Sequence, residues 1–183
     1  KVGKMSILNN YIIDYELVNN FGLQASLDLN VLPLKKYDFY TLIAISDDST
    51  HSYLDSNYNT PIKTVKVHQN DILFHLNEFG QRHKIFDFAK KSLKDSINQN
   101  AINDFFEYLL DFAISKDASD IHFETLEDSL VIRYRIDGLL QQFFKFELEF
   151  YPIVSSVIKL FSKLDITQRR IPMNGRFSKN IGG

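Results

Sequence analysis

The stretch from Leu130 to Phe146 constrains the fold of this chain most. Leu130, Ile132, Tyr134 and Ile136 alternate with Arg133, Arg135 and Asp137. Period-two alternation predicts a strand with one buried face. Asp137-Gly138 follows at once. A type I′ turn needs positive φ at both central residues, and Asp and Gly tolerate it. The chain must therefore double back into a return strand over about Leu139 to Phe146. Upstream, Ile121 and Phe123 alternate with Asp120, His122 and Glu124, as in a short half-buried strand. Ile102, Phe105, Phe106, Leu109, Leu110 and Ala113 fall at the spacing of an amphipathic helix. Pro152 sits where a helix can begin, and Ile153, Val154, Val157, Ile158, Phe161 and Leu164 give it a buried stripe. The order helix, three strands, helix predicts a sheet with helices packed on it.

The first half of the chain reads more loosely. One or two short helices are expected between Asn9 and Leu23, broken near Gly22. Leu32-Pro33-Leu34 leads into a β-prone run from Phe39 to Ile45, and Ser46-Asp47-Asp48-Ser49 favours a turn and a helix start. A short helix then runs to about Tyr53, and Pro61 restarts an extended segment, Ile62 to Val67. Asn70 or Asp71 caps a helix with Ile72, Leu73, Leu76 and Phe79 on its apolar face. Gly80 interrupts it, and Ile85, Phe86, Ala89 and Leu93 continue as a second helix. Polar residues from Asp95 to Asn100 read as a linker or helix junction. At 183 residues and 44% hydrophobic content, the chain has material for two small cores. The expectation is an α/β (α+β) fold with two small domains, 9–96 and 97–183. Residues 1–8 would form a disordered or appended leading stretch.

Several function classes fall away. A net charge of −2 argues against nucleic-acid holding as the main task, because phosphate neutralisation needs a basic surface. With no cysteine there is no disulfide and no thiolate metal site. Neither a signal peptide nor a membrane-length apolar stretch is present, so the reading is soluble and cytoplasmic. The chain has no G-x-x-x-x-G-K-[ST] phosphate loop, since Gly3-Lys4 lacks the upstream glycine and the hydroxyl residue. It also lacks a G-x-S-x-G elbow, an H-E-x-x-H helix and a G-x-G-x-x-G turn. No catalytic constellation assembles. Gly182-Gly183 follows directly on an expected strand, as though the chain continued in something longer.

Arg133, Arg135, Arg169, Arg170 and Arg176 crowd into the last third, and only Arg82 lies elsewhere. The guanidinium fork suits bidentate oxyanion recognition better than lysine does. Arg133 and Arg135 share one strand face. They fit equally a solvated face with cross-strand ion pairs and a docking surface for phosphate or a neighbouring subunit. In Arg169-Arg170-Ile171-Pro172-Met173-Asn174-Gly175-Arg176, Pro172 biases Ile171 away from helix, and Gly175 permits a tight turn before a strand. Arginines are then presented from a stiff loop, whose spacing alone fits a general basic loop as well as an oxyanion site. Asp120, His122 and Glu124 share a strand face too, but successive residues there stand roughly 7 Å apart. They cannot close on one metal ion without ligands from elsewhere, so a polar network or subunit contact is favoured over a metal site.

Three motifs in register carry a resemblance. They are Ala118-Ser119-Asp120-Ile121-His122-Phe123-Glu124, Ile132-Arg133-Tyr134-Arg135-Ile136-Asp137-Gly138, and Lys163-Leu164-Asp165-Ile166-Thr167-Gln168 continuing through Arg169 to Arg176. Over about residues 101–183 the chain resembles the second N-terminal domain of type II secretion and type IV pilus assembly ATPases. Met173 and Asn174 stand where that family has glutamine and aspartate. The first unit, with Leu32-Pro33-Leu34 and Ile43-Ala44-Ile45-Ser46-Asp47, is similar to that family's first N-terminal domain. The resemblance implies a hexamer whose RecA-like motor domain, absent here, holds ATP and Mg²⁺. It implies a PAS-like second domain whose arginines reach the nucleotide phosphates, Arg170 and Arg176 first, then Arg133 and Arg135. It also implies partners: the chain's own motor domain, neighbouring subunits, and an inner-membrane platform protein that tethers it peripherally. No direct nucleic-acid contact is expected. The rival readings are a free-standing adaptor or interaction module and a PAS-like ligand sensor without a motor.

Overall fold

The computed structural model describes residues 6–57, 60–94, 99–168 and 171–178. Two helices, α1 (Tyr15–Phe21) and α2 (Leu23–Leu29), precede a three-stranded sheet of β1 (Val31–Lys36), β2 (Thr41–Ile45) and β3 (Ile62–Lys66) in the order β1-β2-β3. β1 and β2 run antiparallel, whereas β2 and β3 run parallel and are joined through α3 (Asp48–Asn57). α4 (Gln69–Leu76) and α5 (Phe79–Lys94) follow. Then come α6 (Gln99–Ser115), an antiparallel sheet of β4 (Asp120–Thr125), β5 (Ser129–Ile136) and β6 (Leu139–Glu147), and α7 (Tyr151–Phe161). This is the helix, three strands, helix order expected of the second unit. Asp137 and Gly138 adopt φ of 50° and 79° at the β5–β6 turn, as the dipeptide requires.

Local departures have identifiable causes. β1 contains Pro33, which the sequence reading placed ahead of the strand. β1 is an edge strand, where a residue without an N–H donor is tolerated. The register shifts between Pro33 and Lys35, leaving Leu34 as the extra residue, and its carbonyl accepts the Asp14 N–H at 2.9 Å. α4 is capped by His68, whose Nδ1 accepts from the Asn70 N–H, rather than by Asn70 or Asp71. Gly80 lies inside the first turn of α5, and the helical run breaks ahead of it, between α4 and α5. The leading stretch expected to be disordered through residue 8 folds from Ser6 onward. Ser6 caps a 3₁₀ turn at Ile7–Asn10, and Leu8 is buried.

The first sheet buries both faces, which explains the unbroken apolar run Ile43-Ala44-Ile45. Val31, Ile43, Ile45 and Ile62 meet Leu54 of α3. Leu32, Leu34 and Ala44 join the opposite cluster, with Val18, Ile72 and Ile85. That cluster continues through Phe105, Leu109 and Phe112 of α6 to Ile132, Tyr134 and Phe144 of the second sheet. The Tyr134 hydroxyl donates to the Leu109 carbonyl at 3.0 Å and fixes β5 on α6.

Arg82 of α5 occupies the middle of this shared core and is fully buried. The register slip between Ile132 and Arg133 makes Phe143 the extra residue of β6. Arg82 Nη1 donates to the Phe143 carbonyl at 2.8 Å, and Nη2 meets Glu78 Oε2 at 3.3 Å. Its guanidinium carbon stands 4.5 to 5.5 Å from the rings of Phe74, Phe112, Phe143 and Phe144. Glu78 also pairs with Lys116 at the end of α6. The amide of Gln142 and the ammonium of Lys145 donate to the carbonyls of Asn9 and Asn10, at 2.9 and 3.1 Å.

Near Arg82, His75 Nδ1 and the Tyr15 hydroxyl share a 2.7 Å hydrogen bond. Burial, helped by the nearby Arg82 charge, holds His75 well below its ordinary value of 6.5. The folded state therefore binds fewer protons than the unfolded state once pH falls under 6.5. Stability should drop by about 1.4 kcal/mol per pH unit through that window. The carboxylates held low, such as Glu16 and Asp165, act at lower pH, around and below their ordinary values of 4.5 and 3.8. Urea denaturation between pH 7 and about 5 should show this slope in the native chain and lose it in His75→Phe.

Candidate functional site

The β4–β5 ladder sets Asp120 opposite Arg135 and His122 opposite Arg133. Asp120, His122, Glu124, Arg133 and Arg135 thus share the face turned away from the core residues Ile132 and Tyr134. Arg135 Nε lies 3.1 Å from Asp120 Oδ2, and its Nη1 donates to the Gly138 carbonyl at 3.2 Å. Arg133 reaches diagonally to Glu124. Both guanidinium groups are thus engaged by carboxylates of the adjacent strand. The arginine side chains retain 26% and 35% exposure, so water screens these pairs and each contributes at most about 1 kcal/mol. Among the described residues, no group of three His, Cys, Asp or Glu side chains is arranged to hold a metal ion.

After α7 the chain turns through Lys163 at φ 55°, and the Leu164 N–H donates to the Lys159 carbonyl at 2.8 Å. Asp165 Oδ1 accepts from both the N–H and the hydroxyl of Thr167, at 2.8 and 2.7 Å, and these bonds hold the Asp165 carboxyl below its usual range. Arg169 and Arg170 lie outside the described residues. Residues 171–178 join neither sheet among the described residues, and most of the strand expected after Arg176 falls on residues outside those described. Side-chain packing holds this segment instead. Phe177 sits against Phe106 of α6 and Phe161 of α7, with ring centroids 5.7 and 6.1 Å away. Gly175 lies so close to the end of α7 that a Cβ there would stand 2.7 Å from both the Ser162 carbonyl and its Cβ. The sequence reading gave Gly175 to a tight turn, yet its φ is not positive. Close approach is what demands glycine. Between these anchors Arg176 is exposed, with no carboxylate in ion-pair reach among the described residues.

Residues 95–183, which span α6, the second sheet, α7 and the Arg176 segment, match the model of the type II/IV secretion system protein family. Over this stretch the chain is similar to that family. It is 45% identical over 75 residues to the type II secretion system protein E of Aeromonas hydrophila, covering 41% of this chain and 15% of the relative. It is 43% identical over 75 residues to the type II secretion system ATPase E of Vibrio cholerae, with coverage of 41% and 15%. Against the type II secretion system protein E of Klebsiella pneumoniae it is 40% identical over 91 residues, half of this chain and 18% of the relative. The chain thus spans less than a fifth of these relatives' length where it matches them.

The matched stretch also holds a cleft that the sequence pattern does not announce. Its volume is about 490 Å³, and it opens between α7 and the loop that follows. Tyr151, Ser155, Ile158 and Lys159 line one wall, with Ile166 and Ile171 opposite. Its only sequence signal was a pair of isoleucines in a polar loop, which are 54% and 63% exposed. Gly175 fixes the end of that loop. Gly175→Ala should therefore destabilise the chain by about 1–3 kcal/mol through overpacking and speed proteolytic nicking between 164 and 178. Chemical denaturation and timed proteolysis measure both effects. Wild-type behaviour would mean that the close approach carries no load.

Proposed function

We propose that this chain is the N-terminal regulatory and docking portion of a hexameric ATPase that powers type II secretion, type IV pilus assembly or DNA uptake. In this reading residues 9–96 form a first domain that docks on an inner-membrane platform protein. Residues 97–183 form a PAS-like second domain that works against a motor domain outside this chain. The protein would sit at the cytoplasmic face of the inner membrane, held there through its partner. ATP and Mg²⁺ belong to the motor domain, because this chain has no phosphate loop to cradle them. What it offers the nucleotide is guanidinium.

The observation that carries the reading is Arg176. It lies in the secretion-family stretch, is exposed, and is displayed between Gly175 and Phe177, two positions anchored to helices. A guanidinium so held can meet phosphate without first giving up an ion pair with any of the described residues. Arg170 shares the loop by sequence. Arg133 and Arg135 rank behind, since each must release Glu124 or Asp120 before it can turn to another anion. They suit a subunit contact as well.

An arginine that neutralises developing phosphate charge is worth about 10³–10⁵ in rate. In the motor-containing protein, Arg176→Ala and Arg170→Ala should therefore lower kcat by about 10³-fold or more. Arg133→Ala and Arg135→Ala should cost far less. Steady-state ATPase kinetics check this, and an unchanged kcat in both loop variants would defeat the reading. The cleft beside α7 favours a second reading, a ligand sensor. A sensor would bind nucleotide tightly with this chain alone, which calorimetric titration distinguishes.

A further inference from the structure

The β1–β2 hairpin ends in Lys35-Lys36-Tyr37-Asp38-Phe39-Tyr40. The Tyr37 N–H donates to the Tyr40 carbonyl at 2.8 Å, so Asp38 and Phe39 form the outermost tip. Phe39 is 85% exposed, far more than any other large apolar side chain described. Tyr37 and Tyr40, on either side of the tip, stack with centroids 4.7 Å apart. Lysines surround the pair. Lys63 Nζ stands 4.2 Å from the centre of the Tyr40 ring, and Lys35 Nζ stands 5.6 Å from that of Tyr37. None of Lys35, Lys36 and Lys63 makes an ion pair among the described residues, and within the tip only Asp38 opposes them.

At 85% exposure on the hairpin tip, Phe39 is left largely in water, and the tyrosines and lysines beside it make the tip a mixed aromatic and cationic patch. A protein interface is a poor match for it, because stable ones bury about 800 Å² on each partner and a two-residue convex tip offers far less. A bilayer surface asks for no such area. One inserted aromatic ring, amphipathic tyrosines at headgroup depth and lysines facing anionic lipid form a small self-sufficient anchor. The chain as a whole carries a net charge of −2, so attraction to an anionic surface must come from this local cluster.

We propose that the β1–β2 tip contacts an anionic membrane surface directly, with Phe39 entering the headgroup–acyl boundary and Lys35, Lys36 and Lys63 facing lipid phosphates. This does not rest on the nucleotide reading, and protein-free vesicles test it apart from any platform protein.

The chain contains no tryptophan, so Phe39→Trp installs a single indole at the tip. Its emission should shift to the blue with phosphatidylcholine vesicles containing phosphatidylglycerol, stay unshifted with phosphatidylcholine alone, and return on adding salt. In co-sedimentation, Phe39→Ser should weaken partitioning by about tenfold or more. Lys35→Gln with Lys36→Gln should weaken it roughly thirtyfold, both variants keeping the native circular dichroism. An indole that stays in water beside anionic vesicles overturns the proposal, as does partitioning that none of these substitutions changes. Equal binding to neutral vesicles overturns the electrostatic assignment. A blue shift without vesicles that grows with protein concentration assigns the tip to a second copy of the chain instead.

Discussion

One buried guanidinium ties the two halves of the molecule together. Arg82 comes from the last helix of the first unit and ends on the carbonyl of Phe143 in the second. That carbonyl belongs to the extra residue of a bulge, so the β-ladder does not use it. Left alone in the core it would carry a full desolvation cost. Arg82 satisfies it, and Glu78 and four aromatic rings in turn offset the buried charge. Glu78 closes the loop by pairing with Lys116 at the end of α6. Removing one member of such a network typically costs about 3–5 kcal/mol, because the remaining charge is stranded.

The two candidate working surfaces lie at the ends of a continuous packing path. Phe177, next to Arg176, packs on Phe106 of α6, and α6 shares its core with Arg82 and α5. α5 in turn shares a cluster with α1 and with Leu32 and Leu34, on the strand that leads to the Phe39 tip. A load applied at either end meets close-packed side chains rather than a loose tether. Such continuity is the physical condition for coordinated movement of the two units, and it involves few residues in the chemistry itself.

The second unit was legible because its signals are local. Alternation names the buried faces of β4 and β5, and Asp137-Gly138 fixes the hairpin. The bulges were not legible. Phe143 and Phe144 are both buried, which contradicts alternation, and only the register with β5 explains it. Pro33 hid β1 for a related reason, since the tolerance of an edge strand depends on which strands pair. Arg82 looked like any polar residue on an amphipathic helix, because the carbonyl that it serves lies 61 residues away. At the site, the shared face of Arg133, Arg135, Asp120 and Glu124 could be read from sequence, but engagement by one another or by a ligand is a matter of distance. Gly175 shows the same limit. Sequence gives a glycine's freedom but not the neighbours that crowd it, and the cleft exists only once its loop folds back along α7.

If Arg82 welds the two units, the central strands β2 and β5 must open together. Native-state hydrogen exchange of the Ala44 and Ile132 amides measures this directly. One opening free energy is expected for both, equal to that of global unfolding. Exchange of β2 through an opening well below that of β5 would mean that the first unit unfolds on its own, and the shared core would not be what holds the molecule together.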